Sequence, residues 1–211
     1  MKDEFSFNVK RKRPEEIYDN VFEYFNKENI LKYATSKSKK KIQRRITLRA
    51  LELLNLEEKS SLILDAGCGP GFVSSFLGEI GYKRIIALDL IKDFLVFLDI
   101  KAINPIIADM CFLPFRPKKF DTIISISSLQ WIYRDVNNKN MESDIINLIK
   151  SFYHVLKKNY NVLIQFYPKN KKIMDAISRI IITKTPFKGN FIIDNPNNSK
   201  KRKIYLFLRK E

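Results

Sequence analysis

The chain has 211 residues, with 39 Lys and Arg against 23 Asp and Glu, a formal charge of +16 and one histidine, His154. This length fits one domain with a modest extension, and 45% hydrophobic residues can build a core, which excludes a disordered basic tail. No apolar run reaches the roughly 18 residues that span a bilayer, MKDEFSFNVK lacks the apolar stretch of a signal peptide, and Cys68 and Cys111 make neither a disulfide framework nor a zinc site. The expectation is a cytoplasmic protein, not membrane-bound, with an anionic partner such as nucleic acid.

In chain order, residues 1–40 read as a basic, helical arm and 41–211 as the main domain. KRKRPEE (10–16) breaks at Pro14, and the spacing of Ile17, Val21, Phe22, Phe25 and Tyr33 predicts a helix over 17–33. TSKSKKK (35–41) reads as a loop and 42–56 as an amphipathic helix. From Ser60 the pattern alternates: strands at 62–66, 84–89, 104–109, 120–127 and 160–167, helices at 72–81, 92–100, 141–158 and 171–182. Asn159 suits a left-handed cap on the 141–158 helix. Strands separated by helices of 10–15 residues predict a doubly wound parallel sheet. The last two strands, 190–194 and 203–208, lack a crossover helix and should pair antiparallel.

The strongest local signal is Asp65-Ala66-Gly67-Cys68-Gly69-Pro70-Gly71, between a strand and a helix. Glycines there let a ligand approach the backbone, and the helix start offers free N–H groups. The spacing is not the dinucleotide GxGxxG, and Asp65 suits an ammonium or sulfonium better than a pyrophosphate. That points to S-adenosylmethionine. Asp89, with Leu90 beside it, closes the second strand where an acid binds ribose hydroxyls. Asp109 and Met110 close the third and suit an exocyclic amine and a flat purine. Three acids at the ends of three consecutive parallel strands match the class I methyltransferase fold, a Rossmann-like sheet of order 3-2-1-4-5-7-6 with strand 7 antiparallel. Ser127-Ser128-Leu129-Gln130 replaces the Asn/Asp-Pro-Pro-Tyr turn used for exocyclic amines. Neither cysteine is placed as a nucleophile, and His154 lies far from the ligand edge. No general base is evident, which suits an acceptor with a free lone pair, such as guanine N7.

TLRALELLNL (47–56), ISISSLQWI (124–132), QFYPKN (165–170) and DNPNNSKKRKIYLFL (194–208) resemble the eukaryotic small-subunit ribosomal RNA guanine-N7 methyltransferase family, as do RPEE (13–16) and KYATSK (32–37). The resemblance runs from Arg13 to Leu208. It implies that Tyr33, Asp65, Gly67, Gly69, Asp89, Asp109, Met110 and Ile126 line the cofactor, and that Gln130, Trp131, Tyr167 and Lys169 face the base. Two departures stand out. Asn159-Tyr160 replaces a Gly-Gly, and the family's lysine-rich C-terminal tail does not follow, from which an archaeal member is expected.

Lys37, Lys39, Lys40, Lys41, Arg44, Arg45 and Arg49 form a basic stretch suited to phosphates, with Lys40 and Arg44 as candidate RNA contacts. Trp131 and Tyr167 suit stacking on an extruded guanine. Phe94-Leu95-Val96-Phe97-Leu98 reads as a helix apolar on every face, beside an edge strand carrying Ile106. An uncovered edge of this kind is a liability. The family resemblance implies a small zinc-binding adaptor docked there, making a heterodimer; the competing expectation is that residues 1–33 cover the surface. Two other functions fit the same residues. A small-molecule methyltransferase would not need the basic surface, and a ribosome assembly factor would tolerate Asp65→Ala.

Overall fold

The computed structural model describes residue 7, residues 12–98 and residues 103–211. Residues 10 and 11 of the basic KRKR run and the end of the 92–100 segment lie outside the described residues. Seven strands form one sheet in the order β3-β2-β1-β4-β5-β7-β6: β1 (Ile63–Ala66), β2 (Ile85–Asp89), β3 (Ile103–Ile107), β4 (Phe120–Ile126), β5 (Leu156–Phe166), β6 (Lys188–Asp194) and β7 (Lys203–Arg209). The first five pair in parallel, and β7 runs antiparallel to both β5 and β6. The expected fold and strand order are therefore present.

The central strands β1 and β4 are buried on both faces, as a parallel sheet with helical crossovers requires. Ile63, Ile85, Ile124 and Leu163 pack with Ile46 and Ala50 of α3 (Lys37–Leu54) and Leu77 of α4 (Phe72–Glu79). Leu64, Ala66, Ile123 and Ile164 face the other way, into a cluster with Leu129 of α5 (Leu129–Ile132), Ile145 and Phe152 of α6 (Lys139–Val155) and Ile177 of α7 (Lys171–Lys184). Period-two alternation in the strands thus builds two cores at once.

The N-terminal arm differs from the single expected helix. It is a 3-10 turn at Pro14–Glu16, then α1 (Val21–Tyr24) and α2 (Lys27–Ala34). Asn20 and Asn26 cap α1 and α2 through their side-chain oxygens, so each Asn starts a new helix. The stretch 35–41 is not a loop. Ser36 accepts from the N–H of Lys39 and starts α3, which runs through the boundary at residue 40. Lysines are good helix formers, and their polarity masked this.

The helix expected to reach residue 158 ends at Val155. Leu156 enters the sheet opposite Phe120, and the N–H groups of Lys118 and Lys119 take the carbonyls of His154 and Val155. Asn159 is left-handed at φ 67°, but in an irregularity of β5 rather than in a helix cap. The 92–100 helix is a 3-10 segment over Lys92–Phe97. It is not apolar on all sides in the same way: Phe94 and Leu98 are buried, whereas Val96 is 76% exposed and Phe97 is exposed. Phe94 packs with Ile30 and Ile91 under Val21, Phe25 and Tyr33. The arm therefore covers one side of this segment, and Phe94 and Leu98 are not free for a partner. Edge strand β3 remains outermost, with Asn104, Pro105 and Ile107 exposed.

Candidate active site

The turn after β1 is built from left-handed glycines: Gly67 at φ 77°, Gly69 at 52° and Gly71 at 80°. A Cβ on Gly67 would sit 2.3 Å from Ser128 Oγ, so the turn lies against the exit of β4. At Gly69 a Cβ would meet nothing within 4 Å, because that residue opens onto a cavity. The N–H groups of Gly67 and Cys68 both donate to the carbonyl of Leu88, and that of Gly69 donates to Asp89 Oδ2 at 2.7 Å. β2 therefore holds the turn in place.

The cavity has a volume of about 430 Å³, within the range of small-molecule sites. Gly67, Cys68, Gly69, Asp89, Leu90, Asp109, Met110, Ile126 and Tyr33, all named from the sequence as cofactor candidates, line it together. Asp65, Ala66 and Gly71 do not. Asp65 is buried beneath the turn, where its Oδ2 accepts from the N–H (3.1 Å) and hydroxyl (2.5 Å) of Ser74. It thus ties β1 to the start of α4. Its Oδ1 is buried without a partner, and burial pushes the carboxyl up to about 7. An orphaned carboxylate oxygen beneath a cavity wall favours a cation nearby. Asp89 is raised by burial too, although the N–H groups of Gly69 and Ile91 hold its two oxygens. Asp109 accepts from the N–H of Cys111 and caps the turn that carries Met110. An acid at the end of β2, another past β3 and a left-handed glycine turn fit a cofactor with a ribose, an amine-bearing purine and a positive charge.

A second cavity, about 470 Å³, adjoins the first, and Phe25, Tyr33, Gln43, Ser127 and Trp131 line both. Gln130, Trp131 and Tyr167, the candidates for the acceptor base, line it. Trp131 stacks on Tyr24 of the arm, with ring centroids 5.7 Å apart. Arg13 and Lys203 both approach the ring of Tyr167, at 5.2 and 5.4 Å from its centroid. Lys169, Lys40 and Arg44 do not line the cavity. Lys169 and Lys40 are exposed, and Arg44 is paired with Glu79 at 2.8 Å over the ring of Phe76. Arg49 is also occupied, gripping both oxygens of Asp194 and so fastening α3 to β6. The basic stretch thus divides between structural clamps and a cavity wall. Sequence reading missed Arg13, Glu15 and Gln43 on that wall, and had Lys39 only as one member of the basic stretch. The signal for Lys39 and Gln43 was present: with Ser36 as cap, they stand four apart on one helix face.

A family model described as a methyltransferase domain matches residues 64–164. The chain is 32% identical to the 18S rRNA (guanine-N(7))-methyltransferase bud23 of Schizosaccharomyces pombe, over 93% of this chain and 74% of that protein. It is 34% identical to the 18S rRNA (guanine-N(7))-methyltransferase of Bos taurus, over 88% and 67%. Among solved structures, a putative S-adenosylmethionine-dependent methyltransferase of Methanococcus maripaludis superposes with a TM-score of 0.63 at 18% identity, covering 88% of this chain and 94% of that one. Sheet order, glycine turn and relatives agree: the chain belongs to the 18S rRNA guanine-N7 methyltransferase family, whose members are S-adenosylmethionine-dependent enzymes on the class I fold.

Proposed function

We propose that this protein methylates N7 of a guanine in small-subunit ribosomal RNA, or its precursor, during ribosome biogenesis in the cytoplasm. The observation that carries this reading is the junction of two unlike cavities. One is edged by Asp89 and Asp109, the other by Arg13, Lys39, Lys200, Arg202 and Lys203, with aromatic rings between them. S-adenosylmethionine supplies an electrophilic methyl group on a sulfonium. The chain's residues hold and orient. Asp89 and Asp109 suit a ribose diol and an exocyclic amine, and Asp65 lends negative charge beneath the turn. Trp131 and Tyr167 place an extruded base at the junction. Guanine N7 carries a free lone pair, so the reaction needs orientation for in-line attack and no dedicated general base.

The second cavity is short of anions. Lys203 is pushed down by burial and then by Arg45 and Arg13, and Lys39 by burial and then by Lys32. Crowded cations of this kind are relieved by phosphate, which favours RNA over a neutral small molecule. A second part of the reading is a small zinc-binding adaptor on the β3 edge. The exposed side chains there are Val96, Phe97 and Ile107, beside an outermost strand. Addition of a strand to that edge would pair its free backbone.

Mapping of 7-methylguanine by borohydride reduction and aniline cleavage tests both parts. Unmodified small subunits are incubated with the full chain, with and without co-purified adaptor. One new break at a guanine is expected. No break while cofactor still binds overturns the N7 reading.

A further inference from the structure

Glu15 is the one acid among the described residues that line the second cavity, which carries five Lys and Arg side chains. It is 7% exposed, and apart from its own backbone N–H no hydrogen-bond or ion-pair partner engages its carboxylate among the described residues. Its neighbours are spoken for. Glu16, not Glu15, accepts from the Arg13 N–H at 3.0 Å, and the Arg13 guanidinium donates to the carbonyl of Tyr167 at 2.8 Å. Burial raises the Glu15 carboxyl above its ordinary range. A desolvated carboxylate without an ion pair is costly, and Pro14 at the start of the 3-10 turn fixes it there.

Two more acceptors nearby lack donors. The Oε1 atoms of Gln43 and Gln130 are buried and unpartnered, and both residues line this cavity. The wall therefore needs hydrogen-bond donors from whatever enters. Guanine supplies them on one edge, as N1–H and the N2 amine, while N7 lies on the opposite edge. Gln43, Ser127 and Trp131 are shared with the cofactor cavity, whereas Glu15 lines only the unshared part of the second. A purine with N7 toward the junction turns its N1 and N2 side toward that part. Adenine has no hydrogen on N1, so a carboxylate there would face a lone pair.

We infer that Glu15 reads the Watson–Crick edge of the acceptor guanine, accepting from N1–H and the N2 amine, and so selects guanine over adenine. The inference rests on the guanine-N7 reading and adds to it the residue that recognises the base.

The test uses the full chain, with co-purified adaptor, as wild type, Glu15→Gln and Glu15→Ala. Each is assayed for methyl transfer to unmodified small subunits, for S-adenosylhomocysteine affinity, for melting temperature, and for inhibition by GMP, IMP and AMP. The wild type should be inhibited better by GMP than by IMP, which lacks the N2 amine, and better by IMP than by AMP. Glu15→Gln should lose about 100-fold in kcat/KM, as expected for charge-assisted bonds to a substrate. It should also lose the GMP preference, with cofactor affinity unchanged and the melting temperature equal to or above that of the wild type. Transfer within threefold of wild type, or an intact GMP preference, overturns the inference. So does a loss of cofactor affinity or of melting temperature in step with activity, which would make Glu15 structural. A wild type that methylates no guanine N7 fails the underlying reading instead, whatever the Glu15 variants do.

Discussion

Asp89 Oδ2 accepts a hydrogen bond from the backbone N–H of Gly69 at 2.7 Å, so the last residue of β2 fixes the middle glycine of the turn after β1. One carboxylate therefore shapes the turn and edges the cavity. Asp89→Asn keeps one acceptor oxygen but loses the charge, and should weaken cofactor binding roughly 10- to 100-fold. Asp89→Ala should weaken it further and also lower the melting temperature. Calorimetric titration with S-adenosylhomocysteine checks both; unchanged affinity in Asp89→Ala would remove Asp89 from the site.

The Asp65 carboxyl is pushed up to about 7 by burial, against an ordinary value of 3.8. The folded chain thus holds a proton that the unfolded chain releases. The stability contributed by this group is complete below about pH 4 and is lost as pH rises to about 7. A rise of this size is worth on the order of 4 kcal/mol at most. Asp65→Asn should therefore raise the melting temperature of the cofactor-free chain at pH 8, raise it less at pH 5, and weaken cofactor binding. A variant that melts at or below wild type at pH 8 would count against a destabilising buried charge.

Gly67→Ala should be costly twice over. The residue sits at φ 77°, which side chains seldom adopt, and its new Cβ would meet Ser128 Oγ and Met110 Cε at 2.3 and 2.8 Å. About 2 kcal/mol of strain corresponds to a fall of roughly 4–8 °C in melting temperature for a domain of this size. Ser128→Gly should relieve part of the clash but none of the backbone strain. Thermal melts of the single and double variants separate the two.

If the five cations of the second cavity meet phosphates, the logarithm of RNA affinity should fall with the logarithm of salt at a slope near −3.5 for single-stranded RNA, about 0.7 for each cation. Lys203→Ala should lower the slope by about that amount and weaken binding to RNAs of different sequence alike. Fluorescence anisotropy at several salt concentrations reads both. A flat salt dependence would favour a small-molecule substrate.

Val96→Asp adds a charge to a side chain that is already exposed. It should leave the melting temperature of the chain within a degree or two, yet abolish co-purification of the proposed adaptor. Phe94→Ala should do the reverse in its first effect, lowering stability, because Phe94 packs against Ile30 and Ile91. Retention of the adaptor by Val96→Asp would move the docking site elsewhere.

Patterns with a local cause were readable in the sequence. The short, largely apolar runs LILDA and FDTIISIS marked β1 and β4, the glycine turn marked the cofactor loop, and the missing crossover helix marked the β6–β7 hairpin. Departures came where distant packing overrides local pattern. Leu156 leaves α6 to meet Phe120, and Phe94 turns under Val21, Phe25, Ile30 and Tyr33 of the distant arm. The acceptor wall was the hardest part to read. Arg13 with Glu15, Lys39 and Lys203 come from three separate parts of the chain, and only the docking of the arm brings them round one space. Lysines alike in sequence also part company in space: Lys39 lines the cavity, whereas Lys40, one residue on, points to solvent.

The placement of β7 between β5 and β6 has a consequence for biosynthesis. On the ribosome, β5 emerges well before Lys203–Arg209, and its neighbour on that side cannot form until those residues are free of the exit tunnel. Until then an edge carrying Val162, Leu163 and Ile164 stays unpaired in a half-built sheet, the condition under which nascent chains aggregate or recruit chaperones. Stalling of translation shortly before residue 203 should therefore leave a nascent chain far more sensitive to protease than stalling after residue 209 with enough linker to clear the tunnel.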